Sequence, residues 1–490
     1  MMYMSSQNTS ITFLLLLPFL FSGCVSIKPT RAEKALMIRE GKFDYVNNVF
    51  RNGQIDKMPW AYDAMQSIIR ENRNVNTPMY LCEASSLAIM MGNKKLAFRT
   101  LGETLDLLEG FYDKEKEKKA LSLWGAESDK VYKGDPYEQA TLYMLFGICL
   151  MEQKRFDEAT ASFKRAMLLD GDSEKNEYRS DFCLPFFLAA KCYHEMNEYE
   201  LRDNMLKYCA DAFLSHYPWH AKSIAEIIAQ DIDSSFKNNY TPYSLYTNLL
   251  AWKGLDSPDL EVIPHKDWLN DKLPHDKGMD FNTVFIIWNG KGPWMSRAGE
   301  YGEIRLINTC PTSQAYVVEH GEKVFYPIFF RLEEQGKPET SMRFWREFGD
   351  ISYQARTRGK RRVDEELRRK AGIKEGTIVT GDIVASAGVG MALLGSDDST
   401  VRIVGAAAIL GGLLIDAVGQ AMNPRADTRY WKNLPSEFTI LCMKLPPGEN
   451  KLDLRSYITT SNNVVYKVEA KELTVNVPQD APVTFYHLFP

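Results

Sequence analysis

Residues 137–171 read YEQATLYMLFGICLMEQKRFDEATASFKRAMLLDG, and the fold follows from this stretch. Tyr143, Phe146, Gly147 and Leu150 recur at helical spacing, and Phe156, Ala159, Phe163 and Ala166 do so again. The pattern suits two helices packed on each other. Gly147 and Ala159 are small where the helices approach closely, while Phe163 and Ala166 fit the groove against the next helix. Asp170-Gly171 closes the unit, glycine being favoured where a helix ends.

This spacing is that of a tetratricopeptide repeat, and looser copies flank it. Downstream, Phe186, Ala190, Tyr193, Tyr199, Leu206 and Cys209 keep the same offsets. Arg202 stands where a small residue belongs, which predicts a looser or splayed helix pair there. Met79 to Leu108 and Tyr45 to Ile69 read as two more degenerate pairs. One repeat cannot bury its own face, so about three or more are needed for a stable stack. Residues 24–255 are therefore read as a repeat array. Pro242, Pro258, Pro264 and Pro274 interrupt helical patterns, and residues 256–280 are read as a linker.

From Phe281 onward the periodicity changes. Thr283 to Trp288, Glu303 to Ile307, Ala315 to Val318 and Lys323 to Phe330 are strand candidates. Glu437 to Leu445, Lys451 to Arg455, Val464 to Ala470 and Pro482 to Leu488 continue the series, with a turn at Pro446-Pro447-Gly448. The expected fold class is α+β: an N-terminal helical repeat array, then a β-rich, sandwich-like domain over 281–490. Two segments are inserted in that domain. Residues 343–370 form a charged helical stretch. Residues 376–422 read as a Gly/Ala-rich helical hairpin whose glycines, among them Gly388, Gly405 and Gly412, permit close backbone approach. Either the hairpin packs on the protein or on a second copy of itself, or it enters a membrane. Asp382, Arg402 and Asp416 make the last costly.

The N-terminus carries a targeting signal. An apolar run, Ile11 to Phe21, is too short to span a bilayer and leads into Ser22-Gly23-Cys24. Cys24 is the expected lipid attachment site after removal of residues 1–23, so a membrane lipid is the first expected partner. Val25 follows where an Asp would favour inner-membrane retention, so the expected location is the outer membrane, facing the periplasm.

The net charge of -5 gives no whole-chain case for nucleic acid. Seven cysteines follow Cys24 without a CxxC pair, so no zinc or thioredoxin-type motif is read; Cys183 and Cys192 are a candidate disulfide. His216 and His220 share helical spacing, but Pro218 lies between them and no metal is expected. Gly290-Lys291-Gly292-Pro293 lacks the Lys-Ser/Thr of a phosphate loop and reads as a strand-exit loop. Lys291 and Trp294 are candidate contacts for a surface ligand. No catalytic constellation and no cofactor motif stands out.

The chain resembles a family of uncharacterised bacterial lipoproteins with tetratricopeptide-like repeats and a β-rich C-terminal domain. The resemblance rests on Pro136-Tyr137-Glu138 with Phe156-Asp157-Glu158-Ala159, on Gly290-Lys291-Gly292-Pro293, and on Ala426-Asp427-Thr428-Arg429-Tyr430-Trp431 through Leu434-Pro435, then Leu445-Pro446-Pro447-Gly448. It implies an envelope lipoprotein and no catalytic residues. The expected function is a membrane-anchored scaffold offering a concave repeat groove to a protein partner. The alternatives are a hairpin-dependent membrane oligomer, and an envelope enzyme acting on cell-wall polymers.

Overall fold

The computed structural model describes residues 41–71, 75–112, 131–170, 182–216, 279–300, 304–310, 314–321, 323–325, 349–357, 426–459, 465–467 and 471–489. Cys24, the segment 376–422 with Gly388, Gly405 and Gly412, and most of the linker 256–280 lie outside them. The charged stretch 343–370 is described only over 349–357.

The N-terminal part is helical and the C-terminal part is built of strands, an α+β arrangement. The helices are α1 (Lys42–Arg51), α2 (Met58–Glu71), α3 (Thr77–Met90), α4 (Lys94–Tyr112), α5 (Pro136–Glu152), α6 (Phe156–Asp170), α7 (Cys183–Glu195) and α8 (Tyr199–His216). They form four consecutive pairs among the described residues. In each pair the same turn follows the first helix. Gly53, Gly92, Lys154 and Asn197 all adopt left-handed backbone, with φ of 58°, 65°, 61° and 61°. The next residue's N–H reaches back to the helix in every case: Gln54 to Val49 O, Asn93 to Ala88 O, Arg155 to Leu150 O and Glu198 to Tyr193 O. This is a Schellman closure, repeated four times.

Aligned on that turn, the four pairs share one packing register. Gly147 corresponds to Val46, Ser85 and Ala190; Ala159 to Met58, Ala97 and Arg202. Phe163 corresponds to Tyr62, Leu101 and Leu206; Ala166 to Met65, Thr104 and Cys209. All of these positions are buried. The expected splaying at Arg202 does not occur. Leu206 and Cys209 are fully enclosed, and the Cys209 thiol lies 3.5 Å from Cys183 O across the pair. The Arg202 guanidinium avoids the contact by reaching Asp203 and His194 and lying over the Tyr199 ring. Cys183 and Cys192 lie nine residues apart on α7 and are not joined by a disulfide. At a rise of ~1.5 Å per residue a helix holds them far beyond disulfide reach.

The first and second helices of the pairs differ in a way that foretells the rest of the fold. α4 exposes Lys95, Arg99, Glu103, Asp106 and Glu109 along one face, as a surface helix does. α3 and α7 are buried on nearly every residue, and α5 is buried on most of its residues with none exposed. A helix apolar all round must be covered on both sides, and here strands supply the second cover.

The strands are β1 (Thr283–Asn289), β2 (Trp294–Ala298), β3 (Ile304–Asn308), β4 (Gln314–His320) and β5 (Lys323–Phe325). A short helix α9 (Ile351–Thr357) follows, then β6 (Glu437–Met443), β7 (Gly448–Thr459), β8 (Val465–Lys467), β9 (Lys471–Val477) and β10 (Thr484–Leu488). β1 lies between β10, parallel to it, and β6, antiparallel. β2 and β3 form a separate antiparallel ribbon, and β7 is central to a sheet with β4, β8 and β9, β5 pairing with β4. The loop at Gly290 thus leaves the central sheet for the ribbon. β2 falls where only a loop was expected, because its short WMSRA sequence has little strand character.

β1 and β6 are buried at every residue, and their alternation explains why. Val284, Ile286, Trp288, Phe438, Ile440 and Cys442 face the helices. Phe285, Ile287, Leu441 and Met443 face Tyr316, Val318, Leu452 and Leu454 of the β7 sheet. Helices, central sheet and β7 sheet are therefore three layers in contact, and one continuous apolar core joins the helices to the central sheet.

Candidate functional site

Each first helix of the four pairs touches the chain's own C-terminal part. Phe50 of α1 meets Trp288 and Phe489 edge-on. Phe187 of α7 stacks on Phe281, and Lys191 donates to Met279 O at 2.7 Å beside its Glu195 partner. Glu152 of α5 pairs with Lys94 at 2.8 Å and accepts the Phe485 N–H. Along the described pairs, the groove expected for an outside partner is thus filled from within.

Its centre is a strap, residues 426–436, laid across α3 and α5. The strap is held through its main chain. Glu83 of α3 accepts the Lys432 N–H at 2.7 Å on one oxygen and the Asn433 N–H at 3.1 Å on the other. Glu138 of α5 accepts the Trp431 N–H at 2.6 Å. The Trp431 indole is buried and donates to Ser86 Oγ at 2.9 Å. Arg429 pairs with Asp427 at 2.7 Å and reaches Asn76 Oδ1, also at 2.7 Å, at the start of α3. The Lys432 ammonium lies over the Phe43 ring, 4.5 Å from its centroid.

The start of α5 explains why its carboxylates are positioned so firmly. Asp135 is the N-cap, Pro136 opens the helix, and Glu138 reaches back to the Asp135 N–H at 2.6 Å. This is a capping box, a local device that fixes both side chains. Each then does a second task. Glu138 holds the strap, and Asp135 receives Arg305 of β3, whose Nη1 lies 2.7 and 2.8 Å from its two oxygens. Both members of that ion pair are fully enclosed.

Burial dominates the electrostatics. It pushes the Glu83 carboxyl up to about 8, against the Lys432 and Asn433 N–H groups. It pushes Glu138 up to about 7, against the Trp431 N–H, Tyr132 and Arg305. On the central sheet, Trp288 Nε1 donates to His487 Nδ1 at 3.1 Å, which requires a neutral ring with its proton on Nε2. Burial, helped by nearby Lys94, lowers His487 to about 3, although other parts of this residue remain accessible.

The motifs singled out in the sequence converge here. Gly292 N–H donates to Leu434 O at 3.0 Å, so the Gly290–Pro293 loop clasps the end of the strap. A Cβ on Gly292 would lie 2.3 Å from that carbonyl oxygen, which belongs to backbone and cannot swing away. Gly292→Ala should therefore lower stability by about 1–3 kcal/mol, the usual cost of overpacking, as read by urea unfolding. Lys291 and Trp294 engage each other, the ammonium 4.1 Å from the ring centroid, at the exposed edge of this loop. Gly147, Ala159, Phe163 and Ala166 are packing residues of the α5–α6 pair. Tyr143 is half-buried on that pair's flank, where it donates to Glu109 at 2.6 Å. Glu83, Ser86, Asp135, Arg305 and the seating role of Trp431 were not foreseen. The signal within reach was Asp135-Pro136-Tyr137-Glu138, a capping-box spelling.

What this arrangement can do is hold an extended chain by its amides. Among the described residues no cluster of His, Cys, Asp and Glu could hold a metal ion, and no helix is long and apolar enough to cross a membrane. Comparison with protein-family models, with curated proteins and with solved structures gives no match for this chain.

Proposed function

We propose that the protein is a lipid-anchored scaffold of the bacterial cell envelope, without catalytic activity. In this reading the four helix pairs are a tetratricopeptide-like array and the two larger sheets are a sandwich-like unit. Acyl chains on Cys24 hold the molecule on the outer membrane, facing the periplasm. The observation that carries the scaffold reading is the shared turn and packing register of the pairs, since stacked repeats of this kind present extended surfaces to other proteins. The strap and strands occupy the first-helix side, so a protein partner docks on the outer helices or on the β unit.

Two experiments test the halves of the proposal. Wild-type protein should fractionate with membranes and carry lipid on its N-terminal peptide by mass spectrometry. Cys24→Ser should be found in the soluble fraction. Lipid-free wild-type protein defeats the anchor. In-cell crosslinking of the full chain, with and without residues 376–422, tests the scaffold. A defined partner crosslinked to the outer helices or β unit in both versions supports it. Self-crosslinks alone, lost with 376–422, would replace it by a hairpin-driven oligomer.

A further inference from the structure

We infer that β10 is a proton-sensitive latch: it closes the α1 and α5 end of the array's first-helix side only while the His487 ring is neutral, and protonation of that ring favours its release. The hydrogen-bond geometry fixes the sign. The Trp288 indole is 1% exposed, and its N–H can only donate. Phe50 and Phe438 pack edge-on against it and hold it in place. The acceptor it meets is His487 Nδ1, at 3.1 Å. With the ring's hydrogen on Nε2, a second proton must enter at Nδ1. Two donors would then face each other across that contact, and the buried indole N–H would be stranded. Water reaches part of His487, but this does not relieve the clash, because the proton binds on the side turned to Trp288.

β10 is placed to leave without dismantling the sheet. It is five residues long, and among the described residues it is an outer strand paired with β1. Off its other side, the Phe485 N–H donates to Glu152 at 3.3 Å. Phe489, just beyond the strand, packs on Phe50 of α1, and Phe485 joins the core shared with the helices. Release therefore uncovers Phe50 and the end of α5.

The charged groups facing the strand come from two helices. Lys94 opens α4, Glu152 closes α5, and the two pair with each other at 2.8 Å. Lys94 also opposes a positive charge on His487. β1 brings no titratable side chain. On α1, Asp44 and Arg51 are exposed and Lys42 pairs with Glu71. On α3, Glu83 holds strap amides, and burial keeps the Cys82 thiol protonated. Tyr486 of β10 is uncharged, pushed up to about 12 by burial. Burial raises Glu152, against Lys94 and the Phe485 N–H, so its own titration has the opposite sign and blunts the effect at the acid end.

Linkage gives the window. Seated, His487 is held at about 3. Released, it returns toward the ordinary value of about 6.5. The seated value is the lower one, so closing the latch expels a proton. The contribution is fully present above about 6.5 and is lost as pH falls toward 3. The ceiling is about tenfold in the opening constant per pH unit.

Hydrogen–deuterium exchange of the full chain from about pH 7.5 to about pH 5 reads the latch, after correction for the intrinsic pH dependence of exchange. Protection of the β10 amides should fall below about pH 6.5, by up to about tenfold per unit, while protection in α6 changes far less. His487→Asn keeps an acceptor oxygen for Trp288 and removes the titration, so it should flatten the β10 slope. Wild-type protection that is flat or rises on acidification overturns the inference, whether or not the variant folds. A folded His487→Asn protein that keeps the wild-type slope overturns it as well. So does an equal loss in α6, which would mark global acid unfolding in place of a local latch.

Discussion

Asp135→Ala should destabilise the protein by about 3–5 kcal/mol, the cost of stranding a buried charge. The Arg305 guanidinium sits at 1% side-chain exposure with both Asp135 oxygens against one of its nitrogens. Removing the carboxylate leaves that cation in the interior and also takes the N-cap from α5, a further loss of about 1 kcal/mol in typical hosts. The two losses share one side chain, so they are not expected to add in full. Urea unfolding measures the sum. The diagnostic comparison is the double variant Asp135→Ala, Arg305→Met. It removes the orphaned charge and keeps an apolar stem, so it should recover most of the loss except the capping share. A single variant within 1 kcal/mol of wild type would show that water reaches Arg305 and that the ribbon β2–β3 is not tied to the array through this pair.

The helix pairs could be read from the sequence because their determinants are local. Gly147 and Phe163 lie on adjacent helices, and small-to-large complementarity at fixed spacing announces itself within a few dozen residues. The turn that unifies the four pairs was harder to see. Its left-handed residue is glycine at Gly53 and Gly92 but Lys154 and Asn197 in the other pairs. The reading of Arg202 failed for a different reason. A long side chain in a tight contact separates helices only if its head stays in the contact, and the Arg202 head leaves it for Asp203 and His194. The strap seat was illegible because its donors are main-chain amides, which every residue but proline carries. The Ala426–Pro435 stretch looked distinctive, yet nothing in its letters says that Glu83, some 350 residues earlier, accepts two of its N–H groups. Sheet order had the same character. β1 and β6 are plain apolar runs, but the pairing β10-β1-β6 joins segments from opposite ends of the C-terminal part.

Gly147→Val should cost about 3 kcal/mol or above by urea unfolding. A Cβ at Gly147 would lie 2.5 Å from Phe163 Cε1, with two more ring atoms inside 3.0 Å. Phe163 is completely enclosed and cannot turn into solvent. Overpacking a rigid core contact typically costs about 1–3 kcal/mol, and valine adds two γ-methyls to a site already too small for one Cβ. Helix propensity works the other way, since glycine inside a helix is about 1 kcal/mol worse than alanine. Gly102 supplies the control. It also lies inside a helix, α4, but a Cβ there meets only Phe146, at an ordinary 3.6 Å. Gly102→Ala should therefore stabilise, by up to about 1 kcal/mol, while Gly147→Ala destabilises despite the same gain in propensity. Phe163→Leu in the Gly147→Ala background should relieve the clash, so the double variant should be more stable than the two single changes summed. Strict additivity would mean that α5 and α6 move apart freely, and the close helix approach on which the shared register rests would then be wrong.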